Sequence, residues 1–437
     1  MRCSHRLLLA AFLCVGCGSV KGSQLTDGPP PIDATTRGTV HVTVLDPAGT
    51  GAPAVGASVV FLDPDGTLVK KASTDSAGKA DADVLPGASV TAVALINTST
   101  ALQTVLAVKP GDDLVIGSKQ IDSSTAGDFS ITYPAFTGAT SYSVVSPCNT
   151  TSFPAPAAGG PPPTAKITIF NSCRLDAMEL LVVAQGGNGP LASISKPGVA
   201  FTPNGSTTIT GNYAGLRNFT ASYTNIDPVI TNLNTTRAVP DAFGFTTSQA
   251  TAMPGTSAVV NITGPVGTGG DVVTQALSTT GSRQTVRQEI SGSAVTYGLD
   301  VGATLLPWIK PPSYDATTGK VLVPLDTTGA SSTKPDLFRL ILSYRRVDAN
   351  NVTHTFAWQV FGPEAADIVL PTLPADLGGI GPTASDAVTV STALMFEADS
   401  VAGYDAIRND LSTAIQLYGG ARPPATIVRT SAAPSQR

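Results

Sequence analysis

The chain has 437 residues, of which 42% are hydrophobic and only 13% are charged, and its formal net charge is −5. The apolar share is sufficient for packed cores, and the length favours two to four domains. A mildly acidic chain without a basic block argues against nucleic acid as a partner. Its 43 glycines and 34 prolines favour short strands joined by tight turns over helices.

The N-terminus has the layout of an export signal. It begins with basic residues, continues with an apolar run over residues 7–15, and reaches the small residue Gly16 just before Cys17. The run is too short to cross a bilayer, which needs about 20 residues, but it has the length of a secretory signal core. We therefore predict a signal peptide over residues 1–16.

The end of this segment, Val15-Gly16-Cys17, resembles the lipobox of bacterial lipoproteins, although Cys14 stands where leucine is commonest. In that family the cysteine thiol receives diacylglycerol, the signal is cut before it, and the new N-terminus is acylated. The resemblance implies that lipidated Cys17 holds the protein on the membrane of the cell envelope, since acyl chains give stable attachment. Gly18 follows the cysteine instead of aspartate, which implies the outer membrane. The alternative is an ordinary cleaved signal with a chance cysteine.

Composition and turn signals divide the remaining chain into a linker, three β regions and a tail. No internal repeat is evident in the sequence. The predicted boundaries are residues 17–37 for the lipidated cysteine and a flexible linker, 38–121, 122–255 and 256–420 for β domains, and 421–437 for a disordered tail.

Residues 38–121 predict about seven short strands. In the first strand Val40, Val42 and Val44 alternate with polar residues, and Asp63-Pro64-Asp65-Gly66 is a strong turn. The order of motifs resembles the carboxypeptidase regulatory-like, or transthyretin-like, domain. The matching features are Gly38-x-Val40-x-Val42-x-Val44, Gly56-Ala57-x-Val59, Asp65-Gly66, Thr74-Asp75-x-x-Gly78-Lys79, Pro86-Gly87-x-x-Val90-Thr91 and Pro110-Gly111-Asp112.

This resemblance covers under a fifth of the chain. It implies a seven-stranded, prealbumin-like sandwich that serves as a rigid, non-catalytic accessory module, in some members associated with carbohydrate binding. The fold prediction is accordingly all-β: one prealbumin-like sandwich at the N-terminus followed by one or two further, immunoglobulin-like β-sandwich domains.

Cysteine use agrees with export. Once the signal and the lipid site are set aside, Cys148 and Cys173 remain and bracket a proline-rich loop. We predict a disulfide between them, because neither a histidine nor a third cysteine lies nearby in the sequence. Two free thiols or a metal pair are the alternatives.

Catalytic groups are scarce. The mature chain has two histidines, His41 and His354, and both lie in alternating strand patterns of separate regions. There is no nucleophile elbow and no phosphate-binding glycine loop. Acid pairs occur at Asp63 with Asp65, Asp112 with Asp113 and Glu364 with Asp367. We predict no catalytic residue, no metal site and no cofactor.

Two tryptophans complete the list of candidate residues. The alternation of Phe356, Trp358 and Val360 directs Trp358 into a core. Trp308 is flanked by prolines, and a partly exposed indole there is a candidate for stacking on a sugar ring.

The resulting interpretation is a non-catalytic lipoprotein of the cell envelope that presents β-sandwiches for adhesion, scaffolding or ligand binding. Its predicted partners are the membrane, through Cys17, and an unidentified envelope protein or glycan. Two alternatives remain open: a carbohydrate-binding surface protein that uses Trp308, and an envelope hydrolase that uses an acid pair.

Overall fold

The architecture was obtained as a computed structural model. It describes residues 36–46, 50–96, 99–117, 122–157, 159–238, 246–252, 255–264, 269–291, 294–328, 333–364, 367–377, 379–411 and 427–434. The predicted signal peptide, Cys17 and most of the predicted linker lie outside these residues. The described chain is almost entirely β, with two single-turn helices, so the predicted fold class is confirmed.

The first sandwich has the seven strands that the sequence predicts. β1 lies between β4 (antiparallel) and β7 (parallel), and β3-β2-β5-β6 form the facing antiparallel sheet. Gly78 stands at φ +72° in the turn before β4, and a Cβ there would lie 2.6 Å from the carbonyl oxygen of Val44. The strands are β1 Gly38–Val44, β2 Ser58–Leu62, β3 Leu68–Ser73, β4 Lys79–Val84, β5 Ala88–Ile96, β6 Ser99–Val108 and β7 Asp113–Ile116.

The second sandwich repeats this topology. β8 lies between β11 (antiparallel) and β14 (parallel), and β10-β9-β12-β13 form the facing sheet, with β15 added at its edge. The strands are β8 Thr125–Thr132, β9 Ser141–Val145, β10 Thr150–Pro154, β11 Thr164–Phe170, β12 Ala177–Gly186, β13 Gly189–Ala200, β14 Gly205–Thr208 and β15 Ala214–Gly215, with a 3-10 turn at Asn171–Cys173.

The third sandwich has the same topology again. β16 lies between β19 (antiparallel) and β22 (parallel), facing β18-β17-β20-β21. The predicted boundary between residues 255 and 256 is therefore wrong, because it separates β16 from the two strands it pairs with. The strands are β16 Arg217–Thr224, β17 Ile230–Ala238, β18 Thr246–Ala252, β19 Ala258–Gly264, β20 Gly269–Ser278, β21 Arg283–Ser291 and β22 Thr296–Asp300.

A fourth unit follows and differs in topology. Its four long strands run in the order β28-β27-β30-β31. The elements are α1 Val301–Thr304, β23 Trp308–Ile309, β24 Ser313–Asp315, β25 Lys320–Leu322, β26 Leu325–Asp326, β27 Leu337–Val347, β28 Thr353–Gly362, β29 Ile368–Val369, β30 Thr389–Ala398, α2 Tyr404–Ile407 and β31 Ile427–Ala432.

The fourth unit joins the first and third sandwiches into one 12-stranded sheet. β28 pairs in parallel with β6, and β31 pairs antiparallel with β21. β6 and β21 occupy the same position in the first and third sandwiches. The fourth unit therefore pairs with the equivalent edge strand of each, through β28 on one side and β31 on the other. An uncovered edge strand invites unwanted pairing. The prediction of a disordered tail over 421–437 is wrong for β31, whose backbone is paired on both sides.

The hydrophobic cores differ in whether their residues come from one continuous stretch of the chain. Among the residues that the structure describes, the core of the second sandwich is built from residues between 126 and 213. The core of the first sandwich, in contrast, includes Leu337, Phe361, Phe396 and Val428 from the fourth unit. The first sandwich and the fourth unit are therefore packed as one body.

Candidate functional site

The chain enters the first sandwich at one end, which we call the base. Arg37, immediately before β1, donates hydrogen bonds to the Asp63 carboxylate at 3.2 Å and to the Asp83 carbonyl at 3.1 Å. Asp63 is buried and also accepts the Leu85 amide at 3.1 Å. The entry point is thus fixed by an ion pair in which the carboxylate of Asp63 is buried and Arg37 remains half exposed.

The opposite end, which we call the distal end, is where β1 and β7 finish and where β27 turns into β28. β28 runs parallel to β6 with Thr355 aligned to Ser99, so the tip of the β27–β28 hairpin extends beyond the neighbouring strand. At this tip Val347 is 60% exposed and Val352 is 39% exposed. Val55, in the loop between β1 and β2, is 66% exposed.

A cleft of about 380 Å³ opens at the distal end. It lies between the loop over residues 52–58 of the first sandwich and Leu377 and Ile380 of the fourth unit. A smaller cavity of about 150 Å³ has its walls on the same two bodies, with Gln103 from β6 and Gln359 from β28 among its polar residues. Both the cleft and the smaller cavity exist only because the first sandwich and the fourth unit pack against each other.

One wall of the distal cleft is held by a segment that we call the strap, residues 379–386. Arg346 on β27 pairs with the Asp386 carboxylate and donates to the carbonyls of Gly379 and Gly381. Tyr344 donates to the carbonyl of Ile380. Burial alone would raise the pKa of Asp386, but hydrogen bonds from Arg346 and Thr383 hold the pKa below its usual value.

A larger cleft of about 720 Å³ lies at the base of the fourth unit. Its lining is mainly apolar and includes Pro307, Pro335, Pro363 and Met395. Glu364 also lines this cleft. The volume falls in the range of small-molecule sites, and the prolines fix the backbone around it because their φ angles are restricted.

The two histidines do not form a catalytic pair with a nucleophile in the described residues. His41 lies exposed on β1, and His354 lies on β28 at the hairpin. His354 Nε2 lies 3.1 Å from the carboxylate of Asp348. Amide hydrogen bonds from Val352 and contact with His354 lower the pKa of Asp348. This arrangement fixes a hairpin turn.

Three of the four acids in the first two pairs, Asp63, Asp65 and Asp112, have structural roles. Asp63 is paired with Arg37, and Asp65 accepts the Thr67 amide at 2.9 Å in the following turn. Asp112 is paired with Arg408 inside the protein, at 2.5 and 2.7 Å.

The third acid pair is divided between two locations. Glu364 lines the base cleft. Asp367, in contrast, accepts the Val323 amide at 3.1 Å. Within the described ranges, no group of three histidine, cysteine, aspartate or glutamate side chains is placed to hold a metal ion.

Trp308 is not on the surface. Its side chain is only 2% exposed and belongs to the core of the third sandwich, together with Val301 and Leu305. The expectation of an exposed indole that stacks on a sugar ring is therefore wrong. Local sequence suggested exposure because prolines flank the residue, but the residue lies on β23, which pairs with β26, and its side chain packs in the core of the third sandwich. Trp358 is 1% exposed, in agreement with its predicted core position.

The Cys148–Cys173 disulfide is present and closes a loop with a sequence separation of 25 residues. Replacing both cysteines by alanine is expected to destabilise the second sandwich by about 3 kcal/mol, because the unfolded loop gains freedom. Urea unfolding of the variant measures this loss. Reductant should destabilise the wild type similarly and leave the variant unchanged. A loss below about 0.5 kcal/mol would contradict the expectation.

No helix in the part of the chain that the structure describes is long and apolar enough to cross a membrane. No family model matches the chain, and no curated protein matches it either.

The chain has distant likenesses among solved structures. The TIE protein of Bacillus anthracis is 10% identical over 60% of this chain, with a TM-score of 0.15, and this chain covers 50% of it. Two B repeat units of the collagen-binding protein of Staphylococcus aureus are 10% identical over 83% of this chain and 96% of their own, with a TM-score of 0.11. Native E. coli alpha-2-macroglobulin is 11% identical over 89% of this chain and 27% of its own, with a TM-score of 0.12. Likenesses at these TM-scores carry no argument about function.

Proposed function

We propose that the chain is a non-catalytic lipoprotein of the cell envelope. It is anchored to the outer membrane through acylated Cys17 and presents its β-sandwiches for adhesion, scaffolding or ligand binding. One observation carries the proposal: the chain enters at the base of the first sandwich, while a cleft and the exposed hairpin valines lie at the distal end. A molecule tethered at the base would direct this distal surface away from the membrane.

The architecture supports a presenting role over a catalytic one. The first and third sandwiches are joined through the fourth unit into one continuous sheet, which gives a stiff body. The acids singled out in the sequence are largely engaged in turns and ion pairs. Two joined bodies form the distal cleft, and interfaces between units are common places for binding sites.

Lipidation is tested by metabolic labelling of growing cells with an alkyne-tagged fatty acid. We expect label on the wild-type protein and none on Cys17→Ser, because the thiol is the acceptor. Cys14→Ser is the matched control: its cysteine lies in the predicted signal, so the label should persist. Equal label on Cys17→Ser and the wild type would contradict the anchor.

Presentation is tested with an epitope inserted between Ala349 and Asn350, both exposed at the hairpin tip. Exposed tips tolerate insertions, so stability should change by less than about 0.5 kcal/mol. If the distal end faces outward, antibody should bind intact cells as well as permeabilised cells. Binding only after permeabilisation would place the protein on the inner side of the outer membrane and contradict outward presentation.

A further inference from the structure

The first sandwich does not close its own core. One face of its larger sheet packs with Leu337, Phe361 and Phe396 of the fourth unit. On the opposite face, Val60 and Leu102 belong to a second core whose other members come largely from the fourth unit. Without the fourth unit, this sheet would expose apolar side chains on both faces.

Two edge strands of the first sandwich, β6 and β7, are covered by residues far along the chain. Residues 355–361 of β28 pair with residues 99–105 of β6, and Trp358 Nε1 donates to Thr104 Oγ1 at 2.9 Å. On the smaller sheet, the Val115 amide of β7 donates to the Asn409 carbonyl at 2.9 Å. One edge of each sheet, at β6 and at β7, is thus occupied by C-terminal residues, whereas β3 and β4 form the other two edges.

Residues 404–411, which we call the lock, carry a buried ion pair to the first sandwich. Arg408 donates to Asp112 from Nε at 2.5 Å and from Nη2 at 2.7 Å, and both side chains are only 6% exposed. Arg408 also pairs with Asp405, which pairs with Lys109. Breaking a buried pair on one side is costly, because the remaining charge has no compensation.

The second sandwich provides an internal comparison. All residues of its core lie between 126 and 213, and its disulfide lies within the same range. Within the described ranges, no residue after 213 belongs to its core.

We propose that the lock makes the folding of the first sandwich conditional on the C-terminal part of the chain, so that the N-terminal unit becomes stable only when the whole chain has been delivered. The second sandwich reaches its stable state from its own residues. Given the proposed export of the protein, the consequence is that the first sandwich of an incomplete chain does not reach its folded state. Partial synthesis or partial translocation would therefore not yield a displayed protein.

The test is native-state hydrogen exchange on the full-length chain, followed by mass spectrometry. In Arg408→Met, the amides of β1 and β7 should exchange roughly a hundredfold faster than in the wild type. The amides of β9 and β12 should keep their rates. The double variant Asp112→Leu, Arg408→Met removes both charges, so exchange should return to within about tenfold of the wild type. Lys70→Met is the control, because the Lys70–Asp81 pair is exposed and contributes little.

A milder variant is used if Arg408→Met cannot be purified as a folded protein. Trp358→Phe keeps an aromatic ring in the core but removes the hydrogen bond to Thr104 across the β6–β28 junction and part of the packed indole, and it should accelerate exchange in the first sandwich by about tenfold. Faster amide exchange confined to residues 404–411 would show that the lock does not contribute to the stability of the first sandwich. Equal acceleration in the second sandwich would show that the chain opens as a whole. Either result overturns the proposal, and neither depends on the lipid anchor.

Discussion

Replacing Trp308 with alanine is expected to destabilise the protein by about 3–5 kcal/mol, the usual cost of removing a buried aromatic side chain. The indole is 2% exposed, and β23, which contains it, pairs with β26. Removing it leaves a cavity between α1 and the third sandwich. The loss is measured by urea unfolding, with Val347→Ala at the exposed hairpin tip as the control that should change stability by less than 0.5 kcal/mol.

The two tryptophans should respond differently to phenylalanine. Trp308 Nε1 is buried and has no hydrogen-bond partner among the described atoms, so Trp308→Phe gives up no hydrogen bond. Trp358 Nε1 is bonded to Thr104, so Trp358→Phe also leaves a buried hydroxyl with one partner fewer. Trp308→Phe should therefore lower the free energy of unfolding by about 1 kcal/mol less than Trp358→Phe does. Unchanged stability of Trp308→Ala would contradict the buried position and restore Trp308 as a surface residue.

The first sandwich was predictable from local signals. Val40, Val42 and Val44 alternate strictly, and turn residues such as Gly78 punctuate the strands. All seven predicted strands are present. Where one sheet face is buried and the turns are tight, period-two alternation alone specifies the strands.

The boundaries of the second and third sandwiches were not predictable in this way. β16 begins at Arg217 only two residues after β15, with no proline-rich linker between them. β17 and β21 carry threonine, asparagine and glutamine at many positions, so their hydrophobic alternation is weak. The three copies share a topology but no sequence period. Topology depends on which strands meet, and many sequences satisfy that requirement.

No local pattern in the sequence predicts that the first sandwich packs against the fourth unit. Thr104 and Trp358 are separated by 254 residues, and Asp112 and Arg408 by 296. Alternation shows that β6 and β28 are strands, but it does not show that their edges meet. The distal cleft forms only where β6 and β28 bring the first sandwich and the fourth unit together, so no motif in the sequence predicts the cleft.

Replacing Arg346 with methionine is expected to destabilise the protein by roughly 2–4 kcal/mol at pH 7, because Asp386 would be left buried without its cation. The Asp386 side chain is 3% exposed, and Arg346 also holds the strap through two carbonyls. Arg345→Met is the matched control: the adjacent side chain points to solvent, so stability should change by less than 0.5 kcal/mol.

The pH dependence distinguishes a broken ion pair from lost packing. In the wild type the pKa of Asp386 is lowered, so its contribution to stability is complete above its unfolded pKa and is lost as the pH falls through the folded value. Without Arg346, the effect of burial, which raises the pKa of Asp386, is opposed only by the hydrogen bonds from Thr383, so the pKa lies higher than in the wild type and the variant loses the stability that the ion pair adds at neutral pH. The gap between Arg346→Met and the wild type should therefore be widest near pH 7 and narrow toward pH 3. Urea unfolding at both pH values measures the gap, and an equal gap at both would show that the strap is held by packing instead of charge.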